Sequence, residues 1–178
     1  VDRGLAAFCD VFCEPGLAYD LGETRRVLEA GRAAGLKLKV HAEQLSAAGG
    51  AALAGELDAV SAEHLDHLDE AGIRALAEAG TVAVLLPGAQ YFLDGPSPPL
   101  AALRDAGVPV ALSTDLNPGS SPTADLLLMA SMACVRWRMT MPEAIAAITR
   151  EAARALDLHH DRGRLAPGLR ADVAVFDV

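Results

Sequence analysis

The stretch LRDAGVPVALSTD, residues 103–115, decides the fold. It has the pattern of a helix end, an Ala-Gly break, a short apolar strand and a polar end at Asp115. Gly107 falls where a helix can end without steric cost, because glycine readily adopts a positive φ. Residues 108–112 are continuously apolar rather than alternating, which is typical of a strand buried on both faces of a parallel sheet. The stretch therefore predicts a helix and a parallel strand that ends at a carboxylate.

The same unit occurs twice earlier in the chain. EAGRAAGLKLKV, residues 29–40, precedes His41, and LAEAGTVAVLL, residues 76–86, precedes Pro87. Two further apolar runs, residues 8–12 and 59–62, end near Glu14 and His64. These strand ends lie 23 to 28 residues apart, close to the roughly 30 residues that one strand and one helix take in a (β/α)8 barrel.

We therefore expect an α/β fold, namely a partial (β/α)8 TIM-type barrel with five strands rather than eight. Half a barrel exposes the edges of its first and last strands, so we expect a missing N-terminal part or a partner chain to cover them. The predicted helices cover residues 20–34, 46–57, 66–79, 97–106, 122–137 and 140–158. The last begins at TMPE, a capping box with Thr140 as the cap and Glu143 reaching back.

The chain changes character after this helix. The tail DRGRLAPGLRADVAVFDV, residues 161–178, has turn residues followed by a strand-like run over residues 171–178. We interpret this run as a C-terminal strand of a small β-sandwich domain. The predicted division is residues 1–158 for the barrel portion and residues 159–178 for the start of the β-sandwich segment.

Composition excludes several classes of function. The formal net charge of −9, without a Lys/Arg cluster, argues against nucleic-acid binding. The apolar runs break well short of the roughly 20 residues that a membrane span needs, and no signal peptide is evident. The three cysteines lack paired spacing, so we expect free thiols in a reducing cytoplasm.

Polar residues at the predicted strand ends form the candidate site. His41, His64 and Asp115 follow three different strands, and parallel strands carry functional groups at their carboxyl ends. A histidine and carboxylate set there fits Zn or Fe. Each residue also has an ordinary alternative: a hydrogen-bonded structural histidine, a turn aspartate or, for the neighbouring Glu43, a solvated loop charge. Their joint placement on successive strands favours a site.

Four extended motifs carry a family resemblance. KVHAEQLSAAGG (39–50), AVSAEHLDHLDEAGI (59–73), TVAVLLPGAQYFL (81–93) and ALSTDLNPGSSP (111–122) resemble the C-terminal half of the imidazolonepropionase family, within the amidohydrolase superfamily. The resemblance covers almost the whole chain in order. It implies that the strands are about the fourth to the eighth of the barrel.

The resemblance also implies the roles of individual residues. His41 matches the metal-binding histidine of the fifth strand, and Asp115 matches the metal-binding aspartate of the eighth strand. His64 and Asp115 match catalytic positions. The substrate-binding positions correspond to Gln44, Asn117, Gly119 and Ser120. The family's first-strand His-x-His pair, and an Arg and a Tyr that bind substrate, have no counterpart in this sequence.

The implied activity is the metal-dependent hydrolysis of the cyclic amide 4-imidazolone-5-propanoate to N-formimidoyl-L-glutamate in histidine degradation, with one Zn or Fe ion per complete chain. The expected partners are a small-molecule substrate and a second copy in a homodimer, with no nucleic acid or membrane. Two alternatives stay open: another amidohydrolase, such as a deaminase or dihydroorotase-like enzyme, and an inactive truncated chain. The TDLNPGSSP loop favours the imidazolonepropionase activity over the other amidohydrolase activities.

Overall fold

The computed structural model describes residues 3–176 and shows a five-stranded parallel sheet with helices between its strands. The strands pair in the order in which they occur in the chain, β1-β2-β3-β4-β5. The strands are β1 (Phe8–Cys13), β2 (Lys37–Ala42), β3 (Ser61–His64), β4 (Val82–Leu85) and β5 (Val110–Leu112). The parallel α/β organisation predicted from the sequence is confirmed.

Eight helices lie between and after the strands within the described residues. They are α1 (Leu21–Ala33), α2 (Gly50–Glu56), α3 (Glu70–Ala79), α4 (Pro87–Phe92), α5 (Leu100–Asp105), α6 (Leu126–Trp137), α7 (Met141–Ile148) and α8 (Arg150–Ala155). Gly35, Gly80 and Gly107 end three of them with φ values of 81°, 69° and 72°, as expected. The capping box of Thr140 and Glu143 is also confirmed.

The two faces of the sheet have different partners. Alternate residues such as Val40, Ala83 and Leu112 pack against the helices and form the main core. The opposite face, called here the inner face, carries Asp10, Lys39 and Ser61 in one row and His41, Glu63, Val84 and Ala111 in the next. Part of the inner face is covered by α8, because Ala155 packs in a second apolar cluster with residues of β4 and β5.

Several expectations about helix bounds were wrong. The helices expected over residues 46–57 and 66–79 begin only at Gly50 and Glu70. The helix expected over residues 140–158 is two helices, because Thr149 has φ −126° and ψ −85°, outside the helical range. The helix expected over residues 122–137 begins only at Leu126, where Asp125 caps it. The short helix α4, with Pro87 in its first turn, was not expected.

The strand expected over residues 171–178 is also not observed in the part that the structure describes. Residues 171–176 belong to no strand, and Asp177 and Val178 lie outside the described residues. A strand is defined by its hydrogen bonds to a neighbour, and no neighbouring strand pairs with this segment within residues 3–176. The division at residue 158 therefore stays a prediction. Within the same range, no helix is long and apolar enough to cross a membrane.

Candidate functional site

His41, His64 and Asp115 converge at the carboxyl ends of their strands. His41 is near the end of β2, His64 ends β3, and Asp115 follows β5 by three residues. Each offers one potential ligand atom, and these atoms all lie within 4.8 Å of one another. The His41 and His64 rings are 5.2 Å apart between centroids. The structure therefore brings together the three residues that the sequence singled out from three different strands.

The backbone at two of these residues is left-handed. φ is 74° at His64 and 50° at Asp115, and it is 67° at Leu65. Residues other than glycine rarely adopt this conformation, and such outliers concentrate at functional sites. The turn that follows each strand therefore directs the side chain at its end, at some cost in local backbone energy.

His41 is held by Asp10, a residue of β1 that sequence reasoning missed. The His41 Nδ1 atom lies 3.0 Å from Asp10 Oδ1. Burial lowers the pKa of His41, but the hydrogen bond and charge of Asp10, together with the charges of Glu63 and Asp115, leave that pKa raised. Burial raises the pKa of Asp10 in turn, but the hydrogen bond and charge of His41, together with Lys39 and the Val11 backbone, leave that pKa lowered. Both directions favour a hydrogen-bonded pair with an ionised Asp10.

His64 has a different environment. It is buried, with 2% of its surface exposed, and its Nδ1 atom has no hydrogen-bond partner among the described residues. Burial, followed by the nearby His41, lowers the pKa of His64 to about 3. At neutral pH the imidazole is uncharged, with one nitrogen that can donate and one that can accept or bind a metal.

Asp115 belongs to a hydrogen-bonded turn. The Asn117 side-chain nitrogen donates to the backbone oxygen of Asp115 at 2.8 Å and to its Oδ2 at 3.2 Å. Asn117 Oδ1 accepts from the backbone nitrogens of Gly119 and Ser120, both at 2.8 Å. Burial raises the pKa of Asp115, against the lowering effect of His41, Ser120 and Asn117.

This turn differs from expectation in one respect. The resemblance implies that Gly119 and Ser120 bind substrate, and a helix was expected to begin at residue 122. In the structure the backbone N–H groups of Gly119 and Ser120 both bond to Asn117. The helix begins four residues later, and the Asp125 carboxylate accepts from Leu128 N at 2.9 Å. This carboxylate already partners the positive end of the helix.

Two buried glutamates hold the loop between β2 and α2, in which Gln44 lies half-buried. Glu14 accepts from Leu45 N at 2.9 Å and also from the Ser46 hydroxyl. Glu43 accepts from Ala51 N at 2.8 Å. Glu43 is only 2% exposed, so the alternative of a solvated loop charge is wrong. Burial raises its pKa to about 7, against the hydrogen bonds from the start of α2.

A second polar group lies beside His41 on the inner face. Ligand atoms of Asp10, His41 and Glu63 also lie within 4.8 Å of one another. Lys39 already supplies a cation there, since its Nζ is 3.1 Å from Glu63 Oε1. Burial raises the pKa of Glu63, which Lys39 partly counters. The spacing of two between Lys39 and His41 could have indicated this polar row, because alternate residues of a strand share a face.

An open cleft is lined by several of these groups, although His64 is not among its lining residues. It has a volume of about 500 Å³ and is lined by Asp10, His41, Glu63 and Asp115 on one side and by Ala152 and Leu156 on the other. A larger groove of about 580 Å³ lies elsewhere, between α4 and α6. Of the two, only the first contains candidate site residues, so the cleft on the inner face is the candidate site.

Residues 6–178 match the sequence profile of the amidohydrolase family. The chain belongs to this family. The match covers far more than half of the chain, and it agrees with a parallel sheet that carries histidine and aspartate at its strand ends.

Curated relatives of this amidohydrolase chain are named imidazolonepropionase. The protein of Cupriavidus taiwanensis is 56% identical over 178 residues, which are 99% of this chain and 42% of that protein. The protein of Caulobacter vibrioides is 56% identical over 177 residues, 99% of this chain and 44% of that protein. The chain thus spans less than half the length of these relatives.

Several solved structures share the fold of this chain. An amidohydrolase from a Sargasso Sea environmental sample superposes with a TM-score of 0.73 at 26% identity, covering 93% of this chain and 38% of that one. An adenosine deaminase from Xanthomonas campestris, solved with bound zinc, has a TM-score of 0.70 at 23% identity, covering 87% and 40%. The Helicobacter pylori aminofutalosine deaminase reaches 0.74 at 18% identity, covering 93% and 48%.

Proposed function

We propose that this chain is the metal-binding portion of an imidazolonepropionase. The observation that carries the proposal is the convergence of His41, His64 and Asp115 in a chain 56% identical to curated imidazolonepropionases. The sheet then corresponds to about the fourth to eighth strands of a (β/α)8 barrel, and residues 159–178 begin a β-sandwich segment. The reaction is the hydrolysis of 4-imidazolone-5-propanoate to N-formimidoyl-L-glutamate.

The donor set fits one Zn or Fe ion. Imidazole nitrogens and a carboxylate are ligands that both metals accept, and the buried Nδ1 of His64 beside them has no hydrogen-bond partner within residues 3–176. His41 and Asp115 would hold the ion, with the remaining ligands supplied from outside these 178 residues. A metal there lowers the pKa of a bound water and polarises the carbonyl of the amide.

The residues of this chain would accept the proton of the attacking water and position the substrate. The Asp115 carboxylate accepts the proton of the attacking water, and Asn117 keeps that carboxylate in place through its side-chain nitrogen. His64, being uncharged, donates a hydrogen bond towards the carbonyl oxygen as negative charge develops there. The substrate is contacted by Gln44, Asn117, Gly119 and Ser120. To bind it through their backbone N–H groups, Gly119 and Ser120 would have to break their hydrogen bonds to Asn117 Oδ1.

The test compares variants of the complete enzyme that contains this chain. We expect His41→Ala and Asp115→Asn to lose bound metal, measured by elemental analysis, and to lose hydrolysis, measured by the disappearance of the imidazolone absorbance. Asp105→Asn, an exposed acid at the end of α5, is the matched control and should change neither. Unchanged metal content in both site variants would refute the metal assignment. A wild-type enzyme that deaminates a purine and leaves the imidazolone intact would refute the substrate.

A further inference from the structure

Asp10 and His41 face each other across neighbouring strands of the inner face. Their side chains are 39% and 32% exposed, so both line the open cleft. The contact of 3.0 Å joins Oδ1 of Asp10 to Nδ1 of His41. An ionised carboxylate can only accept a hydrogen bond, so Nδ1 must be the donor. In the uncharged imidazole, the free lone pair is then on Nε2.

This arrangement decides which atom of His41 is available to a metal. We propose that Asp10 is a positioning residue: it fixes His41 in the Nδ1–H form and thereby presents Nε2 to a cation that His41 shares with Asp115, beside His64. The inference rests on the proposed function for the presence of that cation. Metal-binding histidines commonly donate their other nitrogen to a carboxylate, which fixes the ring and makes the ligating nitrogen more basic.

Asp10 acts through His41 rather than as a ligand of its own. The alternative cation position among Asp10, His41 and Glu63 is next to the Lys39 ammonium, 3.1 Å from Glu63 Oε1. A second cation there would meet this positive charge. Phe12 lies edge-on to the His41 ring at 6.1 Å between centroids and limits the space into which the ring could turn.

The first experiment uses the metal-free form of the complete enzyme that contains this chain. Nitrogen-15 NMR of labelled histidine, recorded at a pH where the imidazoles are uncharged, distinguishes a protonated from an unprotonated ring nitrogen. The spectrum of His41→Gln identifies the signals of His41. We expect Nδ1–H at His41 in the wild type and in Asp10→Asn, whose amide oxygen can still accept. We expect Asp10→Ala to show a mixture of both forms.

The second experiment measures Co²⁺ binding to the same proteins by visible absorption, with Zn²⁺ as a competitor. Asp10→Ala should bind about 10–100-fold more weakly, the usual effect of losing such an outer partner, and Asp10→Asn should lie closer to the wild type. Asp105→Ala, an exposed acid on α5, should bind like the wild type. Circular dichroism establishes that each variant is folded.

Two results would overturn the inference. One is an Nε2–H form of His41 in the metal-free wild type, and the other is wild-type Co²⁺ affinity in Asp10→Ala. A complete wild-type enzyme that binds no Co²⁺ would instead refute the proposed metal centre. The NMR result would then still decide whether Asp10 sets the proton position on His41, so the two failures are distinguishable.

Discussion

The loop that carries Gln44 should lose local stability when the Glu14 carboxylate is neutralised. Glu14 is 3% exposed, and its Oε2 accepts from Leu45 N at 2.9 Å. A hydrogen bond to a charged group contributes about 1.5–3 kcal/mol, and about 1.4 kcal/mol corresponds to a tenfold change in an equilibrium. We therefore expect Glu14→Gln to accelerate hydrogen exchange at the Leu45 amide by roughly 10–100-fold.

The assay is amide hydrogen exchange followed by NMR, read residue by residue. Glu23→Gln is the matched control, because Glu23 also accepts from a backbone nitrogen, that of Asp20 at 3.0 Å, but in the capping box of α1 rather than in this loop. The control should accelerate exchange at Asp20 and leave Leu45 unchanged. Unchanged exchange at Leu45 in Glu14→Gln, or equal acceleration in the control, would show that Glu14 does not hold this loop.

Three further predictions concern stability and the site. Burial raises the pKa of Asp66 to about 7 from 3.8, so its contribution to the free energy of unfolding falls between about pH 4 and pH 7. Asp66→Asn should therefore stabilise the metal-free chain at pH 8 by up to about 4 kcal/mol and flatten this pH dependence in urea unfolding; equal slopes would contradict it. Gly55→Ala should lower the free energy of unfolding by about 1–3 kcal/mol, since its Cβ would lie 2.5 Å from the Ala75 backbone oxygen. Gly22→Ala, whose Cβ would have no contact under 3.4 Å, should leave the free energy of unfolding unchanged. His64→Ala in the complete enzyme should retain metal and lose about 10²–10³-fold in kcat; near-normal turnover would make His64 structural.

The sheet was predictable because each repeat carries its own local signals. An apolar run, a glycine at the helix end and a polar residue at the strand end need no distant partner to be recognised. The order of the strands then follows, because consecutive parallel units usually lie side by side. The break at Thr149 was not predictable from TREAARAL, whose residues favour a continuous helix, since the change of direction depends on how α8 packs on the inner face.

The site was predictable to the same extent. His41, His64 and Asp115 could be found because they lie at or just after the carboxyl ends of strands, where function is expected. Asp10 lies inside a run that reads as apolar and Glu63 just after one, and their role depends on which neighbour the register places beside them. The buried state of Glu43 depends on its bond to the first turn of α2, a contact that no local pattern encodes.

The left-handed backbone at His64 and Asp115 has a consequence for how this site can evolve. That conformation costs most residues about 1–2 kcal/mol and is best tolerated by glycine, asparagine and aspartate. A replacement at either position must therefore keep the chemical group of the site and also tolerate a positive φ. A homologue that had lost the activity would still need the turn for its fold, so we expect Asp115 to be replaced first by Asn or Gly. Asn or Gly at this position in a homologue would therefore indicate a protein that has kept the fold and lost the activity.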